Sequence, residues 1–273
     1  MPALKRALPL LLLIAAACGR RGLQGELENV PSTALLHAHF ERQLPPQAWS
    51  FLPASLTPVD PGLIRDLLDR GPLGISLVAV DLTSLKPQFM ILSSSVGPDT
   101  MLAIAAKYMD FTADSAAGRR DLRSPRGRLL GSVAVRRGWT CLYLGPAPEA
   151  VVPQWLQLTR SGSLAADSAL ALVSARTGSD LSLFVPSSLV SFLGVAPVSA
   201  WVPWWPEVSS ALALLQPRAA RLDLSFRGFV AVELRVVREA ARVTRVRFEL
   251  EDSGFTPGEM LSALRLALGG SLF

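Results

Sequence analysis

The sequence has 273 residues, of which 50% are hydrophobic and 18% are charged, and its formal net charge is +5. This length and composition suffice to bury a core in one large domain or two small ones, and they exclude intrinsic disorder and fibrous repeats. Two cysteines and two histidines in the whole chain exclude a cysteine-rich zinc module and a disulfide-stapled mini-domain. The mild basic excess is spread along the chain and does not indicate a nucleic-acid partner.

The first eighteen residues have the organisation of a bacterial export signal. Two basic residues precede an apolar run over residues 7–17, which is shorter than the roughly 20 residues that a membrane-spanning helix needs. Three alanines come immediately before Cys18. This pattern resembles the lipobox of bacterial lipoproteins, although alanine stands three residues before the cysteine, where leucine is more usual. The resemblance implies cleavage before Cys18, a diacylglycerol on its thiol and an acyl chain such as palmitate on its new amino group.

Two other interpretations of this segment stay open: ordinary secretory cleavage after an A-x-A site, and a retained helix. Lipidation would tether the chain stably, because two or three acyl chains bind a bilayer far more firmly than one. Gly19 follows the cysteine, whereas aspartate at that position favours inner-membrane retention in well-studied two-membrane bacteria. We therefore expect a lipid-anchored protein of the cell envelope, held at the outer membrane and facing the periplasm.

Beyond the signal, the sequence predicts an α+β fold of antiparallel strands and helices. Residues 19–31 are glycine-rich and polar, which predicts a short flexible tether, and Pro153 is expected to kink or break its helix. The predicted strands are 34–41, 74–82, 87–95, 180–186, 221–226, 229–237 and 242–251, with a hairpin at 128–145. The predicted helices are 60–71, 98–109, 147–159, 165–176 and a last helix that begins at a capping box at Thr256 and ends at Gly269-Gly270.

The order of these elements repeats. Residues 33–109 and residues 179–268 each run through a strand, a tryptophan-bearing loop, a helix, further strands and a final helix, which predicts an internal duplication with helices on one face of each half. A groove between the halves is then the default ligand site. The predicted divisions are a signal peptide at 1–17, the lipidated cysteine and tether at 18–31, the first half with its connecting hairpin and helix at 32–162, and the second half at 163–273.

Three stretches of the mature chain resemble motifs of an uncharacterised family of exported bacterial proteins. They are PSTALLHAHF at 31–40, GWTCLYLGPAPEA at 138–150 and SLAADSALA at 163–171. The resemblance implies a membrane-tethered domain outside the cytoplasm. Its motifs are structural, so it supplies no catalytic residues.

His37, His39 and Glu41 form an H-x-H-x-E pattern on the first predicted strand. Alternate residues of a strand share a face, so the three side chains are weak candidates for zinc ligands, with a further carboxylate such as Asp81 completing the site. The simpler interpretation, which we favour, is a polar strand face on which the histidines point to water while Leu36, Ala38 and Phe40 are buried. We therefore expect no metal and no other cofactor.

Two segments carry candidate contact residues. Seven arginines and one acid lie between residues 119 and 137, a pattern that suits lipid phosphates or an acidic partner but also keeps a loop soluble. The loop at 198–208 contains three tryptophans, which favour membrane interfaces and protein hot spots but can equally cover the edge of a core. The proposed partner or membrane contacts are Arg119, Arg120, Arg123, Trp201, Trp204 and Trp205.

Motifs for nucleotide binding, metalloprotease chemistry, redox dithiols and the hydrolase nucleophile elbow do not occur in the sequence. Cys141 is best interpreted as a packing residue. Three hypotheses follow. The first is a non-enzymatic lipoprotein, a binding or envelope-assembly module whose partner is an envelope protein or a lipid. The second is a zinc-dependent enzyme that uses His37 and His39. The third is a lipid-binding protein that holds acyl chains between its halves.

Overall fold

The computed structural model describes residues 22–46, 59–81, 86–174, 178–189, 217–226, 229–238 and 242–251. Several of the predicted features lie outside these residues. They are the export signal with Cys18, the tryptophans Trp201, Trp204 and Trp205, and the last helix that begins at Thr256. The predictions made for them therefore stay predictions.

Strands of the described residues form one antiparallel sheet, so the predicted α+β class is confirmed. The order of the eleven strands across this sheet is β11-β10-β9-β8-β1-β2-β3-β7-β6-β5-β4. The strands are β1 (Leu36–Phe40), β2 (Leu73–Asp81), β3 (Lys86–Ser93), β4 (Thr112–Ala116), β5 (Arg119–Arg123), β6 (Leu129–Arg136), β7 (Trp139–Leu144), β8 (Leu181–Val185), β9 (Ala219–Phe226), β10 (Phe229–Val237) and β11 (Val243–Glu251).

Five short α-helices have both ends within the described residues and pack on this sheet; residues 187–189 are helical as well. They are α1 (Leu23–Leu27), α2 (Pro61–Leu68), α3 (Pro98–Ala105), α4 (Pro148–Leu156) and α5 (Ser168–Ala171), with 3-10 turns at Arg160–Gly162 and Leu164–Ala166. None of the described helices is long and apolar enough to cross a bilayer.

Most of the predicted elements are confirmed within a few residues, because their local signals act as expected. Asp60 caps α2 by accepting a hydrogen bond from the Gly62 amide at 2.7 Å. The β6–β7 hairpin turns through Arg137 and Gly138, whose φ angles of 50° and 79° suit a tight primed turn. In β11 the side chains alternate, with Val246 buried and its neighbours exposed.

One local prediction is wrong, one is wrong in part, and one hairpin was missed. The helix expected at 165–176 is only the four-residue α5, preceded by a 3-10 turn. Pro153 does not break its helix, since α4 runs through it from Pro148 to Leu156. The β4–β5 hairpin, which turns at Gly118 with a φ of 72°, was missed because most of its residues are polar.

The two faces of the sheet are named here by the residues of β1. The phenylalanine face carries Ala38 and Phe40, and α2 and α3 cover it. The histidine face carries His37 and His39, and on this face α1, α4 and α5 contribute to a second core. The central strands β3 and β7 are mostly apolar where they are buried on both faces, in the run Phe89–Leu92 of β3 and along β7.

The strand order is that expected of an internal duplication. The antiparallel pair of β1 and β8 lies at the centre of the pattern, with β2 beside β1 and β9 beside β8, then β3 and β10 on the outside. The helices of the first half, α2 and α3, lie together on the phenylalanine face as predicted, whereas segments outside the repeat cover the histidine face. The described residues of the two halves join edge to edge through β1 and β8. They do not face each other across a groove, which weakens the hypothesis of acyl chains held between them.

Candidate functional site

The two histidines of the chain lie in a buried cluster with a glutamate that comes from the segment expected to be a tether. Residues 22–31 are folded, so that prediction is wrong for them. Leu27 and Val30 are buried in the core of the histidine face, and the amide of Leu164 donates to the Val30 carbonyl at 2.8 Å. The glycines and polar residues of the segment suggested mobility, but its apolar residues dock it on the sheet and carry Glu26 inside.

The carboxylate of Glu26 is shared between the two imidazoles. His37 Nε2 donates to Glu26 Oε1 at 2.8 Å, and His39 Nδ1 donates to Glu26 Oε2 at 3.0 Å. The outer nitrogens also have partners, since His37 Nδ1 lies 2.9 Å from Ser76 Oγ and His39 Nε2 donates to Glu41 Oε2 at 3.1 Å. The exposed fractions of Glu26, His37 and His39 are 1%, 0% and 8%. The expectation that the histidines point to water is therefore wrong, because β1 is a central strand and not an edge.

The cluster is ionised over a wide pH range. Burial alone would raise the pKa of Glu26, but the charge of His39 and the hydrogen bonds from both histidines lower it to about 2. Burial alone would lower the pKa of His39, but the charge of Glu26 and the hydrogen bonds to Glu26 and Glu41 raise it to about 9. His39 is thus an imidazolium between two carboxylates at neutral pH.

This geometry does not suit metal binding or nucleophilic catalysis. All four imidazole nitrogens already have carboxylate or hydroxyl partners, and in the described part of the chain no group of three or more His, Cys, Asp or Glu side chains is arranged to hold a metal ion. Ser76, His37 and Glu26 form a hydrogen-bonded chain that resembles a catalytic triad, but all three are buried, so no substrate reaches the serine hydroxyl. The cluster is suited to fixing α1 on the sheet.

A second buried polar network continues along the histidine face. Asp223 Oδ1 accepts hydrogen bonds from Arg221 Nε at 2.8 Å and from Ser182 at 2.6 Å, while Arg221 also donates to the carbonyl of Val173. Burial lowers the pKa of Arg221 although the charge of Asp223 opposes that shift. The other oxygen, Asp223 Oδ2, is buried and has no hydrogen-bond partner.

The ring of Phe184 joins the two networks. Its centroid is 5.8 Å from that of His37, and the guanidinium carbon of Arg221 lies 4.8 Å from it on the next strand. Three cross-strand neighbours, one from each of β1, β8 and β9, therefore form a continuous row. The row couples the segment that carries Glu26 to the second half of the sheet.

Arg136 fixes the chain just after α1. This buried guanidinium donates to the side-chain oxygen of Asn29 and to the carbonyl of Leu158, and it lies 6.0 Å from the ring of Trp155. The indole of Trp155 in turn donates to the Asn29 carbonyl at 2.7 Å. Burial lowers the pKa of Arg136. One of the seven arginines between residues 119 and 137 thus has a structural role.

The three arginines predicted to contact a partner already have acidic partners in the domain. Arg119 pairs with Asp121, Arg120 with Asp99 and Arg123 with Asp114. Their charges are thereby largely compensated, which makes them weaker candidates for recognising phosphates. Cys141 is fully buried in the core of the histidine face, where burial raises the pKa of its thiol, so its interpretation as a packing residue is supported.

Glu26 and the Arg221–Asp223 pair were missed by the sequence analysis. The charged residues of β9 alternate with leucines in RLDLSF, a pattern equally typical of a solvated face. No local signal separates the buried Glu26 from the half-buried Glu28 in the same short segment. Glu26 is buried because its partners His37 and His39 lie on β1, in the middle of the sheet, and this position is not visible in the local sequence.

No protein-family model matches this chain, and no curated protein or solved structure is significantly similar to it. The resemblance to lipoproteins and to the uncharacterised exported family therefore stays a prediction from the motifs.

We expect Glu26→Gln to lower the free energy of unfolding by roughly 3 kcal/mol, because it leaves a buried imidazolium without its main partner. The pKa of His39, about 9, lies above the ordinary 6.5. Its contribution to the free energy of unfolding is therefore present below pH 6.5 and is lost as the pH rises toward 9. The pKa of Glu26, about 2, lies below the ordinary 4.5. Its contribution to the free energy of unfolding is therefore present above pH 4.5 and is lost as the pH falls toward 2. The destabilisation should therefore be largest between pH 4.5 and 6.5.

Urea unfolding measured from pH 2 to pH 9, which extends on both sides of this window, tests that pH dependence. Glu28→Gln is the matched control, since Glu28 lies on the same segment but is partly exposed and meets Arg160 only at 3.5 Å; it should change stability by less than about 1 kcal/mol. Equal effects of the two variants, or an effect of Glu26→Gln that does not vary with pH, would contradict the ionised cluster.

Gly74→Ala tests the same cluster by steric means. An added Cβ would lie 2.5 Å from Glu26 Oε1 and 3.0 Å from His37 Cε1, so the carboxylate must move. We expect a loss of about 1–3 kcal/mol in unfolding free energy, as for other overpacked sites. Gly97→Ala is the control, because a Cβ there meets no atom within 4 Å. If both variants unfold at the same urea concentration, the close approach of Gly74 to Glu26 is not real.

Proposed function

We propose that this protein is a lipid-anchored bacterial envelope protein that acts as a non-enzymatic binding or assembly module. The export signal and the alanines before Cys18 support the anchor. The single structural observation that supports a non-enzymatic role is the burial of both histidines in a cluster whose nitrogens are all engaged.

The folding of residues 22–31 bears on how such an anchor would work. Only four residues, 19–22, separate the proposed lipidated cysteine from the first residue of α1. At about 3.5 Å per extended residue, this link reaches no farther than roughly 17 Å. A lipidated Cys18 would therefore hold the folded domain close to the bilayer surface, with no long linker between them.

We expect radiolabelled palmitate to be incorporated into the full chain in a bacterial host and to be absent from the Cys18→Ser variant, which should also leave the membrane fraction. Cys141→Ser is the control, because it removes the other cysteine and should retain the label. A Cys18→Ser protein that is labelled and membrane-bound like the wild type would overturn the lipoprotein proposal.

The alternative of a zinc enzyme predicts a different result. We expect the purified mature chain to contain no stoichiometric zinc by atomic emission, and a chelator to leave its thermal unfolding unchanged, because His37 and His39 have protein partners on every nitrogen. Zinc at one equivalent that disappears in His37→Ala, with the fold retained by circular dichroism, would restore the zinc hypothesis.

A further inference from the structure

Four arginines meet at one end of the sheet, and this group is called the basic end below. Arg218 precedes β9, Arg238 follows β10, Arg242 precedes β11 and Arg245 lies within β11. Backbone hydrogen bonds place the first three side by side, since the Arg218 amide donates to the Val237 carbonyl at 2.8 Å and the Arg238 amide donates to the Arg242 carbonyl at 2.8 Å.

Within the described residues, no ion pair compensates the charges of the basic end. Arg218, Arg242 and Arg245 are exposed and Arg238 is half-buried, and among the described residues none of the four forms an ion pair. By contrast, Arg119, Arg120 and Arg123 each pair with an aspartate.

Among the described residues, one acid lies near this group and is already engaged; Glu239, which directly follows Arg238 in the sequence, lies outside the described residues. Glu233 faces Arg245 diagonally across β10 and β11, and its carboxylate accepts a hydrogen bond from Arg235 Nε at 2.7 Å. Arg235 stands directly opposite Arg245, so two like charges face each other on neighbouring strands. Such a pair is destabilising in isolation, and an external anion beside Arg245 would relieve it.

The length of the link to Cys18 indicates which kind of anion the basic end would contact. If the lipid anchor proposed above holds, about 17 Å of extended chain at most separates the bilayer from α1, and part of the domain surface then lies within reach of the headgroups. β1 begins at the same end of the sheet as the basic end, four strands from β11 or about 19 Å, while Glu26 of α1 contacts β1 farther along, at His37 and His39. Guanidinium groups bind phosphate oxygens with two parallel hydrogen bonds, which suits them to phospholipid headgroups.

We infer that the basic end, formed by Arg218, Arg238, Arg242 and Arg245, contacts anionic phospholipid headgroups of the membrane that carries the anchor. This inference rests on the proposed lipoprotein function for its occupant. The contact orients the domain, because it adds a second point of attachment to the one at Cys18.

The test uses the mature chain, residues 18–273, with Cys18→Ser, so that binding is independent of lipidation. We expect it to sediment with vesicles of phosphatidylcholine that contain one-third phosphatidylglycerol, to sediment much less with phosphatidylcholine alone, and to be released as the salt concentration rises. Arg242→Gln with Arg245→Gln should weaken binding about 30-fold, since each arginine near an anionic surface contributes about a fivefold factor.

The matched control is Arg70→Gln with Arg137→Gln. These two arginines are also exposed and the charge change is the same, but they lie at the opposite end of the sheet. The control should bind within about twofold of the parent, and thermal unfolding should show that both variants are folded. Equal weakening in both double variants would mean that net charge alone drives binding, and would overturn the assignment.

An absence of vesicle binding by the parent chain would also overturn it, and an acidic protein partner would then be the better explanation of the basic end. Neither result depends on palmitate incorporation, which tests the lipoprotein proposal separately. A chain that is lipidated but does not bind anionic vesicles would refute the inference and leave the proposed function standing.

Discussion

The position of the first helix depends on one buried carboxylate. A five-residue helix such as α1 has almost no stability of its own, so its place must be set by tertiary contacts. Glu26 can enter the interior only where partners compensate its charge, because a buried carboxylate without them costs several kcal/mol. His37 and His39 supply those partners from alternate positions of β1. A slip of β1 by one residue would turn both imidazoles toward the leucines of the other face, so the cluster also specifies the strand register.

Much of the sheet could be predicted from the sequence, and the cluster could not, for one physical reason. Strand and turn signals are local. β11 alternates polar and apolar residues, and the Arg137-Gly138 turn marks the β6–β7 hairpin. Burial of a charged residue is not local, because it depends on which strand lies beside which. His37 and His39 were correctly placed on one face of a strand, but only the central position of β1 between β2 and β8 shows that this face is covered. Glu26 comes from a segment whose composition suggests a linker. The apolar residues of that segment that dock it, Leu27 and Val30, are too few to predict a folded element from sequence.

The histidine face changes its character across the sheet. Toward β7 it is apolar and lies under α4, whereas from β1 to β9 it carries the two buried polar networks. One cross-strand row passes from His39 through Ser182 and Asp223 to Glu233, and it ends on the exposed Arg247 of β11. His39 has its partners in Glu26 of α1 and in Glu41, whereas each later residue of the row has its partner on the same or a neighbouring strand. Exposure increases from the buried Asp223 through Glu233 to Arg247 at the edge. The second half therefore joins the first on this face through polar networks as well as through the core residues Phe184, Ala219 and Val237.

The contacts that fix residues 22–31 on the sheet also determine how far the domain could move from the membrane if Cys18 were lipidated. If the chain up to β1 were free, the seventeen residues from 19 to 35 would reach about 55 Å or more when extended, far enough to sample partners at a distance from the membrane. With α1 fixed by Glu26 and the following residues held by Arg136, only the four residues before α1 are left as a link. Because His39 and Glu26 keep their charges around neutral pH, small changes of pH do not break the ion pair that fixes α1 on the sheet. If the proposed anchor and binding role hold, the domain would meet its partners at the membrane surface, within the reach of this short link.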